Sequence, residues 1–404
     1  MAEGSSRGIW LQSARWDLFW LFSGLWLPLL VGVGIVANGL APAVGHGFER
    51  LLGGQRLDVT LVLLGVIHRV TTTYGVLASP FFAGRLRTNP TKYLWVPLAI
   101  VIATMALSAG VVYRDSFAIG DDYYGQFWTF FVLANIFIVW EAWHFCAQDF
   151  GVLSVYRARA GQRGHAERRD DRWFATGIAF GVFLPLIAHK AAYYARDWDV
   201  LYLYRPFQHL DPASFSSAAA AVFGAGLLAT AWMIASELRR PNRSMPKVLY
   251  YLIIIAAPVL VYTTDLVGLM VLYLARVVHH WMVAIGLFSH VNVQFHRRSG
   301  HSTSAALFAY IWRFAPIVVL AMYWYVRWGP LDLSGLSLPA EDYLSRRNPD
   351  RYFSLSLIIG SFFCINYLHY YFDWCFYSFS RDPVARERVA PYLLSSTHDE
   401  PGAR

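Results

Sequence analysis

Long apolar stretches, each close to the length that crosses a membrane as a helix, recur from one end of the chain to the other. A spanning helix needs about 20 mostly apolar residues. About ten segments meet that length: roughly 17–40, 59–83, 93–113, 124–150, 173–194, 214–236, 247–265, 267–292, 305–327 and 353–378. Backbone N–H and C=O groups in hydrocarbon must be satisfied within the protein, which leaves helices or closed barrels. Segments this long and continuous select helices. The expectation is an all-α polytopic integral-membrane bundle of about ten transmembrane helices. The count becomes nine if the two stretches meeting near Asp265 form one broken helix.

Composition agrees. Hydrophobic residues make up 56% of the chain and charged residues 15%, against about 25% charged in a soluble domain. Disorder, collagen-like repeats and a nucleic-acid-binding tail are thereby excluded. The net charge of +8 arises in short loops, where basic residues act as an orientation signal. With the N-terminus inside, the inner segments carry roughly twice the Lys and Arg of the outer ones. Both termini are therefore expected to be cytoplasmic, in a bacterial inner membrane. The whole of 1–404 reads as one transmembrane domain with short loops, and 379–404 as a cytoplasmic tail.

Cys146, Cys364 and Cys375 lie in apolar stretches without CxxC spacing, so neither a disulfide framework nor a thiolate metal site is expected. No Walker loop, GxSxG elbow or HExxH motif is present, which turns attention away from ATPase and hydrolase chemistry.

The informative residues are the ionisable ones inside apolar segments, where each costs about 2.5–3.5 kcal/mol at a helix centre on insertion scales. They include His68 and Arg69, Glu141 and His144, Asp149, His189 and Lys190, Asp265, Arg276, His279 and His280, and His369 and Asp373. Glu141 and His144 are three apart and share a helix face. This is the carboxylate–imidazole spacing of di-iron bundles, present here once. His144 and Gln148 are four apart, as are His369 and Asp373, and such a pair can be two ligands or a ligand and its supporting acceptor. At 1.5 Å rise per residue, His68, His279 and His280 fall near mid-membrane, and His144 and His369 in the cytoplasmic half. Buried imidazoles with carboxylates and no thiolate suit non-haem iron or copper. The candidate catalytic and metal-ligating residues are therefore His68, Glu141, His144, His279, His280, His369 and Asp373.

Histidines scattered over several membrane helices resemble the integral-membrane non-haem iron oxygenases. In particular they resemble the carotenoid-cleaving dioxygenases of the bacteriorhodopsin-related kind rather than the desaturases, whose HxxxH and HxxHH boxes are missing. The resemblance implies iron, dioxygen and a lipid-soluble substrate.

The leading expectation is thus an integral-membrane metal-dependent oxidoreductase acting with dioxygen on an isoprenoid or acyl chain, with non-haem Fe ahead of Cu. Its partners would be membrane lipids, the lipophilic substrate and an electron-donor protein, and not nucleic acid. Two alternatives use the same side chains. One is a proton-coupled transporter with the His, Asp and Glu residues as a relay. The other is a non-catalytic component binding haem b through two histidines.

Overall fold

The computed structural model describes residues 10–29, 65, 67–69, 71–73, 76, 85–117, 128–186, 212–263, 273–298, 300, 349–377 and 383–394, and among them there are helices and no strand. The all-helical expectation is met. The stretch 305–327, the junction at Asp265, and His189 and Lys190 lie outside the described residues.

The chain opens with α1 (Ala14–Trp20), capped by the Ser13 hydroxyl accepting from the Trp16 N–H. Asp17 is fully buried there because its carboxylate is satisfied on several sides. It accepts from the Leu11 and Gln12 N–H groups and, at 2.7 Å, from the Tyr156 hydroxyl. Helical residues between 65 and 76 carry His68 and Thr72. Next come α2 (Val96–Phe117), entered through the π-helical turn Thr91–Trp95, then α3 (Trp128–Arg159) and α4 (His165–Arg172). A wide π-helical segment, Trp173–Phe183, continues from α4. α5 (Pro212–Leu238), α6 (Met245–Thr263), α7 (His279–Arg298) and α8 (Pro349–Tyr377) complete the long elements. A π-helical turn, Tyr273–Val278, leads into α7, and the short helices Pro383–Arg388 and Ala390–Leu393 follow α8.

α3 stops where Gly161 adopts φ 71°. Its end carries the two hydrogen bonds of a Schellman motif, Gln162 N–H to Arg157 O and Gly161 N–H to Ala158 O, and the left-handed C′ position there favours glycine. α8 lies along α2 in close approach. A Cβ on Gly360 would stand 2.6 Å from Met105 Sδ.

The core is aromatic. Phe22, Tyr156, Phe174, Phe183, Tyr250, Tyr251, Phe288, Phe372 and Phe376 are all buried within it. Rings of this size contribute large apolar area, and edge-to-face pairs such as Trp10–Phe22 and Phe174–Tyr251 add to it. The opposite surface is apolar too. Two helical stretches, Thr91–Gly110 and Ser217–Leu238, are long and apolar enough to cross a membrane, and only 17% and 28% of their most apolar windows are buried within the protein. Met245–Leu260 is a shorter apolar helix.

One end of the molecule is held by an ion-pair network. Lys247 is wholly buried, and its Nζ reaches Asp171 at 2.9 Å, Glu237 at 3.0 Å and the Gln162 side-chain oxygen at 2.9 Å. Arg157 joins Asp171, and Arg240 joins Glu237 and Asp170. Burial pushes the Asp171 carboxyl above its usual range, against the opposing pull of Lys247, Tyr251 and Arg157. These contacts tie the end of α4 to the α5–α6 turn.

Candidate metal centre

Four imidazoles from distant parts of the sequence converge. His68 comes from the helical residues after 64, His144 from the middle of α3, His280 from the second position of α7, and His369 from α8. All four are buried. One ring nitrogen from each lies within 4.8 Å of the other three.

The rings form a closed circuit. Adjacent centroids are 4.6 Å apart for His68–His280, 4.7 Å for His280–His144, 5.1 Å for His144–His369 and 4.1 Å for His369–His68. Every neighbouring pair meets edge to face, and His280 and His369 face each other across the circuit at 6.3 Å. Two metal–nitrogen bonds of about 2.1 Å placed across an ion span about 4.2 Å. The spread of 4.8 Å therefore exceeds that of a ligated set by only a few tenths of an ångström per ring. The nitrogens are short of other partners. Both of His68, Nε2 of His144 and Nε2 of His369 are buried with no hydrogen bond. Leaving buried polar atoms unpaired is costly, and a cation at the centre of the circuit removes that cost. The cluster can hold a metal ion.

Asp373 borders the circuit. Its Oδ2 lies 3.2 Å from His144 Nε2, without the alignment of a hydrogen bond, and 3.6 Å from His369 Nε2, while Oδ1 has no partner. The i, i+4 spacing within α8 puts Asp373 one turn from His369, on the same face.

Two further side chains set the ring orientations. Gln148 donates from Nε2 to the His280 carbonyl at 3.3 Å, which fixes its amide orientation and leaves Oε1 facing His280 Nδ1 at 2.5 Å. An amide oxygen only accepts, so His280 is protonated on Nδ1 and its lone pair sits on Nε2. Thr72 Oγ1 lies 3.0 Å from His369 Nδ1. Sequence spacing paired Gln148 with His144, whereas the structure turns it to His280, and the role of Thr72 was not assigned. The available signal was helical spacing: Thr72 is four residues after His68, and Gln148 four after His144.

His279 lies apart from the four. Its Nδ1 faces the Gly24 N–H at 3.0 Å and the Ser23 hydroxyl at 2.8 Å, and its Nε2 is 3.5 Å from the Tyr250 hydroxyl. A backbone N–H can only donate, so Nδ1 accepts and the proton is on Nε2. Tyr250 in turn donates to Asp149 at 3.1 Å, and Asp149 pairs with Arg276 at 2.9 Å. Adjacent residues on a helix point about 100° apart, which explains how His279 and His280 serve different networks. Glu141 also stands outside the four. It is half-buried one turn before His144, in the field of Arg69. Arg69 itself donates to Asn366 at 2.7 Å and lies over the Trp281 ring.

Aromatic side chains wall the circuit: Tyr370 stands 4.7 Å from the His144 ring, Phe145 4.5 Å from His280 and Trp281 6.4 Å from His68. The three cysteines are buried and free, and none belongs to the cluster. No family model, curated protein or solved structure matches the chain.

Proposed function

We propose that the protein is an integral-membrane, metal-dependent oxidoreductase, with non-haem iron held by His68, His144, His280 and His369 and dioxygen and a lipid-soluble chain as its substrates. The observation that carries this reading is the circuit of four buried imidazoles, three of which have ring nitrogens that make no hydrogen bond. All-nitrogen sites with a nearby carboxylate and no thiolate suit iron or copper. When bound, such an ion supplies one-electron and dioxygen chemistry. The rest is the work of this chain's own residues. Gln148 holds His280 with its Nε2 lone pair available. Thr72 accepts from His369 Nδ1–H if that ring ligates through Nε2. Asp373 offers a carboxylate to balance charge or to complete the ligand set, and Tyr370, Phe145 and Trp281 exclude water.

The membrane assignment draws on surface chemistry. Leu228 is 74% exposed, Ile102 59% and Trp232 57%, on helices long enough to span. A contiguous apolar exterior is not tolerated in water and matches hydrocarbon. About ten spans, cytoplasmic termini and a bacterial inner membrane belong to the same proposal.

Elemental analysis of the detergent-purified protein, together with an absorption spectrum, tests it. The expected result is about one iron per chain, lost in His144→Ala and His369→Ala, without a Soret band. Metal-free protein from metal-replete, anaerobic preparation would overturn it, and a Soret band would favour the haem-carrier alternative. A second reading, proton-coupled transport, draws on the buried chain Arg276–Asp149–Tyr250–His279. It predicts proton-coupled uptake in liposomes by protein that carries no metal.

A further inference from the structure

The turn between α3 and α4 borders an open pocket of about 400 Å³, whose lining includes none of the imidazole circuit. Arg157, Arg159, Arg163, His165 and Arg168 line it, and no carboxylate does. The acids of the same segment are committed elsewhere. Asp170 accepts from Arg240 at 2.7 Å, and Asp171 from Lys247 at 2.9 Å and Tyr251 at 2.8 Å. Arg157 is drawn to Asp171 at 3.1 Å, and Arg159 donates to the Leu394 carbonyl at 3.3 Å. Arg163 and Arg168 are exposed at the rim. Glu167 folds back against Gly164, which lines the cavity, so one carboxylate stands beside it and is outnumbered by the four arginines.

The frame under these arginines is stiff. Gly161 closes α3 in its left-handed turn. The next residue, Gln162, is buried and donates to Glu237 at 2.6 Å and to the Asn242 carbonyl at 2.8 Å. Guanidinium groups on a fixed frame are suited to phosphate, which they bind through paired N–H donors. The level of the cavity points to the source. Trp173 follows α4 directly, is 48% exposed and meets exposed Trp232 edge to face. Exposed tryptophans collect at the headgroup level of a bilayer, and the cavity-lining Arg168 stands five residues before Trp173 in the chain.

We infer that the cavity binds a phosphate-bearing anion, supplied by the headgroup of an anionic lipid. Phosphate recognition here is independent of the metal centre, whereas the lipid source rests on the membrane reading. The test uses the full chain in neutral detergent, titrated separately with phosphatidylglycerol, phosphatidylcholine and inorganic phosphate, with bound ligand counted by native mass spectrometry. Wild-type protein is expected to retain phosphatidylglycerol in preference to phosphatidylcholine. The Arg163→Gln/Arg168→Gln variant is expected to bind it roughly thirtyfold more weakly, from the usual contribution of two surface arginines. Arg163→Lys/Arg168→Lys should recover most of that loss. Both side chains are exposed, so circular dichroism and metal content serve as checks that the fold is kept. Inorganic phosphate binding to the same arginines without preference for lipid would uphold the anion site and overturn its lipid source. Equal retention of the two lipids with no phosphate binding, or no change in the Gln variant, would overturn the proposal.

Discussion

Gln148 and His280 are joined twice: the glutamine accepts from His280 Nδ1 and donates to the His280 carbonyl oxygen. The pair spans α3 and α7 and fixes both the amide orientation and the imidazole tautomer. Groups that orient a ligating histidine typically account for 10–100-fold in metal affinity.

Gln148→Leu is therefore expected to weaken metal binding by roughly that factor, as measured by competition with a chelator. Gln148→Glu keeps the acceptor for Nδ1–H and is expected to bind metal more tightly than the leucine variant. Equal affinities for all three proteins would refute the orienting role.

The neighbours His279 and His280 separate cleanly by experiment. His280→Ala removes one member of the circuit and is expected to lose metal. His279→Ala is expected to retain metal but to lower the unfolding temperature, because it strips the Gly24 N–H of its acceptor, while the Ser23 hydroxyl still has the Trp20 carbonyl. An unsatisfied buried donor costs about 1–3 kcal/mol. Metal loss in His279→Ala with unchanged stability would reverse the two assignments.

Lys247 offers a test of the fold that does not involve the metal. It is wholly buried between Asp171 and Glu237. Removing one partner of a buried ion pair costs up to about 3–5 kcal/mol, an upper bound here because Asp171 keeps Arg157 and Glu237 keeps Arg240. Lys247→Met is expected to unfold at markedly lower denaturant or temperature. The triple variant Lys247→Met/Asp171→Asn/Glu237→Gln removes the two carboxylates that face the lysine and should recover part of the loss, since the arginines it releases, Arg157 and Arg240, are partly exposed. No recovery would mean that packing, not charge, is what the lysine supplies.

The helical class could be read from the length of the apolar runs, which is about that of a spanning helix and about twice that of a barrel strand. The four circuit histidines were legible for the same reason: His68, His144, His280 and His369 stand out against apolar surroundings. Their grouping was not legible. Sequence spacing places a side chain on a face of its own helix, but which faces meet depends on packing between α3, α7 and α8. His279 shows the limit: nothing in the dipeptide His279-His280 says which ring turns to Ser23 and Gly24. The buried partners of Lys247 were equally hidden, because Gln162, Asp171 and Glu237 lie in segments that read as loop or helix end.

Asp373 faces two imidazoles of the circuit with one carboxylate oxygen. Its Oδ2 is 3.2 Å from His144 Nε2 and 3.6 Å from His369 Nε2, close to the roughly 3.0 Å that separates neighbouring donors around one ion when each bond is about 2.1 Å. Asp373→Asn keeps the shape and removes the charge. It also introduces an amide N–H₂ that can donate to the imidazole lone pairs, which would then be occupied by hydrogen bonds rather than by metal. Both effects act in the same direction, so the variant is expected to bind iron at least about tenfold more weakly while its thermal stability without metal is unchanged or higher. Metal titration and thermal unfolding of the metal-free protein measure the two quantities separately. Wild-type affinity in Asp373→Asn would show that the carboxylate neither ligates the ion nor balances its charge, leaving the four imidazoles as the whole site.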